Sequence, residues 1–344
     1  MYQWLKRLLA KPDSVPPPDA PSPPQPAARE PAAPPAPILS PALEGGPDFE
    51  QKDLVNSAFQ RWLFALPAGD ALDTTAPEGR VLHELIMAAK SGHNAADMLR
   101  RMPGVIPQLL QSLRSENFAG ADIARKISND LVLVGSVLRL ANAAIQNSGE
   151  ATTINSVEHA VIVIGQEGLR QLITTVAFRP IIDLNSGYHT KLMAPRIWDQ
   201  SEKSAVACRM LAPEFGVDPF EAFLAGLVLN AGLLTALRVM DSASNTPGEL
   251  GSAMFRARLM QEARAISAGI SEAWRFPPAI TQAIREQGEV RKGGALSPMA
   301  RVLALGDYLS KIRLLAAHGK LNDSENNLFH GLPLGAMPCY AALA

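Results

Sequence analysis

Residues 222–237 read AFLAGLVLNAGLLTAL, the longest apolar run in the chain. How it is read decides the fold. A bilayer span needs about twenty apolar residues. This run has sixteen, is interrupted by Asn230, and follows Asp218 and Glu221 closely. A helix that is apolar on every side yet too short to span a membrane belongs in the core of a helical domain. The run is therefore expected to be the central buried helix, with one polar side chain, Asn230, that must find partners inside.

The flanking segments carry the same helical signal. DFEQKDLVNSAFQRWLFALP (48–67) places Phe49, Leu54, Phe59, Trp62 and Leu63 at roughly helical spacing. TTAPEGRVLHELIMAAKSG (74–92) opens on a threonine cap with an early proline and stops at Gly92. NSVEHAVIVIG (155–165) has the β-branched run of a strand. However, Ser156 ahead of Glu158 and His159 marks a helix start, and Gly165 marks a stop. No segment sustains period-two alternation, so the fold class is all-α.

The amino-terminal region has a different character. Fourteen of the 28 prolines lie in residues 12–47. That stretch has too few large apolar side chains to form a core and reads as a disordered, extended tether reaching on the order of 100 Å. Ahead of it, residues 1–11 form a short amphipathic peptide. Trp4, Leu5, Leu8 and Leu9 fall on one face and Lys6, Arg7 and Lys11 on the rest. A helix this short folds only on a surface, so residues 2–11 are a candidate docking peptide or peripheral membrane contact. The expected organisation is a peptide (1–11), a Pro-rich linker (12–47), a helical subdomain (48–100), a main helical domain (101–315) and a carboxy-terminal tail (316–344). The tail either packs back on the core or stays loose.

Composition excludes several functions. The net charge is −1 and aromatic residues make up 6% of the chain, so neither the basic stripe nor the stacking platform of a nucleic-acid binder is present. Cys208 and Cys339 form no CxxC pair and have no metal-ligand spacing, which fits buried thiols in a reducing cytoplasm. The six histidines are scattered at 83, 93, 159, 189, 318 and 330 and are expected at the surface or as caps. No G-x-S-x-G elbow or phosphate loop occurs. No cofactor is expected.

The stretch 101–144, RMPGVIPQLLQSLRSENFAGADIARKISNDLVLVGSVLRLANAA, is the most specific in the chain. Pro103 to Pro107 open it, Asn129, Asp130 and Leu131 follow one helix, and Leu140, Ala141, Asn142 and Ala143 end the next. Ser156, Ala160 and Gly165 then recur in the following segment. This order resembles the HDOD family, the HD-related output domains of bacterial signalling proteins. Leu131 stands where that pattern has proline and Ala143 where it has serine. The likeness continues through 196–212, 221–232, 273–284 and 297–310, covering about 100–315, and implies a multi-helix HD-like bundle.

The resemblance also implies where a metal site would lie. In the wider HD superfamily the helix similar to 221–232 carries an adjacent His-Asp pair, joined by an earlier histidine and a later aspartate. By register those positions hold Leu229, Asn230, Gln200 and Asp307 here, and a frequent dihistidine falls on Glu286 and Gln287. Leucine offers no lone pair, and the two amides offer only neutral oxygens. One aspartate with two amides is a poor cage for a hard dication. Asn230 is thus expected as a relic bonded to Gln200 or Asp307, in a chain that transduces signals through a protein partner without catalysis. Two readings compete. One is a nucleotide sensor that uses Gln200, Asn230 and Gln287. The other is a metal-dependent phosphohydrolase with shifted ligands, which Leu229 opposes.

Overall fold

The computed structural model describes residues 46–66, 73–90, 187–289, 296–321 and 327–343, with a helical run at 156–165 and isolated positions between 124 and 168. Every regular element among these is helical. The docking peptide with Trp4, Leu5, Leu8 and Leu9, nearly all of the proline-rich linker, Pro103 to Pro107, and residues 129–131 lie outside the described residues.

Local chemistry sets the helix starts. Helix α1 (Phe49–Leu63) begins at a capping box. Asp48 accepts from the Gln51 N–H, and Gln51 accepts in return from the Asp48 N–H, each at 2.8 Å. Helix α2 (Ala76–Lys90) uses the same reciprocal device between Thr75 and Glu78. Helix α3 (Tyr188–Leu211) runs through Pro195 into a 3₁₀ turn (Ala212–Phe215), which Gly216 ends at φ 65°. Helix α4 (Pro219–Val228) is capped by Asp218, α6 (Ala253–Ala273) by Ser252 and α8 (Pro298–Ala317) by Ser297. Between them lie α5 (Ala231–Ala243) and α7 (Pro278–Glu289). The chain closes with α9 (Ala336–Ala342).

The apolar run is not one helix. It breaks at Leu229–Asn230 into α4 and α5, with Asn230 at φ −100°, ψ 9° in the cap position of α5. The stretch Pro219–Ala243 is long and apolar enough to cross a membrane, but its apolar part is 83% buried within the protein. It is a core segment, as its length and interruption require.

Helix α3 is the axis, with α4 and α8 packed along it. Small residues allow close approach. A Cβ on Gly226 would lie 2.7 Å from the Ala205 Cα, and one on Gly306 would lie 2.5 Å from the Cys208 sulfur. On the other side α5 meets α6 and α6 meets α7. Helix α1 packs on α8 and α3, helix α2 on α6 and α5, and both contribute to the same core. In α1, Val55, Phe59, Trp62 and Leu63 face inward. Phe49 and Leu54, read as part of that spacing, instead stand 69% and 43% exposed. The tail returns to the core: α9 packs on α8 and α3 and buries Cys339.

The run 157–165 is helical, not extended. Ser156 accepts from the His159 N–H at 3.1 Å, and Gly165 ends it at φ 71°. Asn142 has a definite job beside it. Its amide donates to the carbonyls of Leu138 and Ile154, and its oxygen accepts from the Ile154 N–H at 2.7 Å. One side chain thereby clamps two segments twelve residues apart.

His83, His159, His318 and His330 are exposed as expected. His189 is not. It opens α3 at 2% exposure, with Nδ1 3.4 Å from Asp241 Oδ1. A loop-like sequence, LNSGYHT, concealed a helix start that α5 covers.

Candidate functional site

The polar side chains that the family resemblance aligns with a metal site, Gln200, Asn230 and Asp307, come from separate elements. Gln200 projects from α3, Asn230 from the α4–α5 break and Asp307 from α8. They form one directed chain of hydrogen bonds. The Asn230 amide donates to the Gln200 carbonyl oxygen and, at 3.1 Å, to the Ser201 hydroxyl. The Gln200 amide donates to Asp307 Oδ1 at 2.8 Å and to the Ser310 hydroxyl at 3.1 Å. Ser201 and Ser310 pass their own protons to the carbonyls of Ile197 and Asp307. Gln200 is 1% exposed, so these bonds replace water it has lost.

The other carboxylate oxygen belongs to a lysine. Lys311, one turn beyond Asp307 on α8, places its ammonium 2.6 Å from Asp307 Oδ2. The same nitrogen donates to the Asn56 side-chain oxygen at 2.8 Å and lies 5.4 Å from the centre of the Phe59 ring. Burial pushes the lysine below its ordinary range, the Asp307 carboxylate opposes that, and the nearby Arg264 adds to it.

Three expected members stand apart from this chain of bonds. The Leu229 side chain is buried, while its carbonyl accepts from Ser267 at 2.8 Å. Glu286 accepts from the Ser297 N–H at 2.8 Å and so holds the start of α8. Gln287 donates to the carbonyls of Ala283 and Ala300. Ser201, Ser310, Lys311 and Asn56 were missed by the sequence reading. Lys311 had a signal, because it sits at i+4 from Asp307 on the same helix. Asn56 had none, being 255 residues from the lysine it holds.

A divalent metal does not fit here. One carboxylate oxygen is taken by an amide N–H and the other by an ammonium, and Leu229 supplies no donor. Arg264 adds positive charge close by. Among the described residues no group of three or more His, Cys, Asp or Glu side chains is placed to hold a metal ion.

Comparison with known proteins agrees with the bundle. The HDOD domain profile matches residues 99–290, more than half of the chain. A crystal structure of an HDOD domain protein of unknown function from Geobacter sulfurreducens aligns at a TM-score of 0.53 and 18% identity, covering 75% of this chain and 89% of its own. A protein from Shewanella amazonensis SB2B, described as a candidate metal-dependent phosphohydrolase, aligns at 0.52 and 17%, covering 78% and 98%. At these identities the likeness is one of fold. No curated protein matches the chain. Asp307 and Lys311 lie beyond the matched residues and Asn56 before them.

Proposed function

Because this chain belongs to the HDOD domain family, we propose that it is a signal-transduction module that works through a protein partner and catalyses no reaction. The observation that carries this reading is the Lys311 ammonium on Asp307. It leaves the strongest metal-binding side chain of the cluster already paired. The leucine at position 229 and the mutual bonding of Gln200 and Asn230 argue the same way. A hydrolase of this architecture would need a metal-activated water, and the groups that would hold the metal are absent or occupied.

A nucleotide sensor in the same place is less well supported. Gln200 and Asn230 already bond to each other, and Gln287 bonds to backbone carbonyls, so base edges would have to displace internal partners. A cytoplasmic location goes with this reading, as do free, buried Cys208 and Cys339.

The test is metal content after production with Mn²⁺ or Fe²⁺ supplied. The expected result is no stoichiometric metal and no phosphohydrolase activity. Stoichiometric metal that disappears in Asp307→Ala would overturn the reading. Affinity capture comparing the full chain with one lacking residues 1–46 then shows whether the partner is held by the helical core or by the amino-terminal peptide.

A further inference from the structure

We propose that Lys311 is a tethered cation that takes the role of a bound metal in this bundle, and that α1 seats it. The inference rests on the non-catalytic reading above and adds what fills the site.

A carboxylate enclosed by three helices needs a positive charge or a set of donors beside it. Asp307 has one donor for Oδ1 in the Gln200 amide, and its Oδ2 faces the lysine. Lys311 meets that need from the same helix, one turn on. An (i, i+4) lysine supplies its charge without requiring an ion to be captured and dehydrated.

What surrounds the nitrogen is a complete environment for a monocation. The Asp307 carboxylate lies on one side and the Asn56 amide oxygen on another, with the ring of Phe59 beyond. Asn56 and Phe59 are three residues apart on α1 and therefore share one face. Lys311 itself is 7% exposed. The seat is built from parts that flank the family-matched residues 99–290: α1 before them and α8 after them. Helix α1 is accordingly more than an added layer, because it provides the two contacts that keep the ammonium over Asp307 and shut off from solvent.

The full-length protein tests this by thermal unfolding of Lys311→Met, Asp307→Asn, the double variant and Lys311→Ala, with ethylammonium as the free-cation probe against matched NaCl. Lys311→Met alone is expected to lower the midpoint by about 10 °C, since it strands a carboxylate. Adding Asp307→Asn should recover most of that loss, a strongly non-additive cycle. Lys311→Ala should gain stability with ethylammonium, while the wild type does not respond. An additive cycle, or a Lys311→Ala protein indifferent to ethylammonium, overturns the proposal. If Lys311→Ala does not fold, the Lys311→Met/Asp307→Asn cycle decides alone. Metal copurifying with the wild type would instead overturn the non-catalytic reading, so the two failures are distinguishable.

Discussion

Glu78 and Ser252, 174 residues apart, are joined twice: Glu78 Oε1 accepts from the Ser252 N–H at 2.7 Å, and Oε2 accepts from the Ser252 hydroxyl at 2.8 Å. The same carboxylate accepts from the N–H groups of Gly251 and Thr75. One side chain, 1% exposed, therefore caps its own helix and the start of α6 together.

Replacing Glu78 by alanine strands these donors in the interior. The expected cost is about 3 kcal/mol, in line with several charge-assisted hydrogen bonds lost at a buried site. Urea unfolding of the variant checks it. Glutamine at this position should cost less, because it keeps an acceptor and the side-chain volume.

Acid should weaken the fold in two steps. Burial lowers His189 from its ordinary 6.5, with Asp241 and Glu249 opposing that shift. The unfolded chain then takes up a proton before the folded one does. Stability from this group is present above pH 6.5 and declines as pH falls below it. Glu78 follows at lower pH. Burial favours its neutral form, but the hydrogen bonds from Gly251, Ser252 and Thr75 prevail and hold it below 4.5. Its contribution is present above 4.5 and is lost as pH falls through the lower folded value. Urea midpoints measured from pH 7.5 to 3.5 should show the upper step vanish in His189→Gln and the lower one in Glu78→Gln.

Gly226→Ala should destabilise by about 1–3 kcal/mol. Its new methyl would meet the backbone of Ala205, with the Cα at 2.7 Å and the nitrogen at 2.8 Å. Backbone cannot swing aside as a flexible side chain can, so α3 and α4 must separate. Gly79→Ala is the control, since a Cβ there meets nothing within 4 Å. A drop in thermal midpoint confined to Gly226→Ala is the expected result.

Asn230→Leu removes the donor that satisfies the Gln200 oxygen and should cost about 1–3 kcal/mol. The effect should shrink when Gln200 is also made leucine, because both orphaned groups then leave together. A double-mutant cycle in urea reads this coupling directly.

Asn142→Ala should loosen the join between Ala141–Asn142 and Ile154 without unfolding the rest. Three hydrogen bonds are lost at one half-buried residue. Faster amide exchange at Ile154, with exchange in α3 and α8 unchanged, is the expected signature.

Much of this protein was legible in the residues. Periodicity established an all-helical chain, the threonine cap ahead of Ala76 and Ser156 announced helix starts, and Asn230 inside an apolar run called for a polar partner such as Gln200. These conclusions rest on local chemistry: a cap acts within one turn, and a buried amide must find hydrogen bonds. Tertiary structure decided the rest. The break at Asn230, the burial of His189, the tie from Glu78 to Ser252 and the seating of Lys311 by Asn56 each depend on which helix face meets which. Helical periodicity marks which residues turn inward, but not the distant face they will meet, because that choice is made by packing across the whole core.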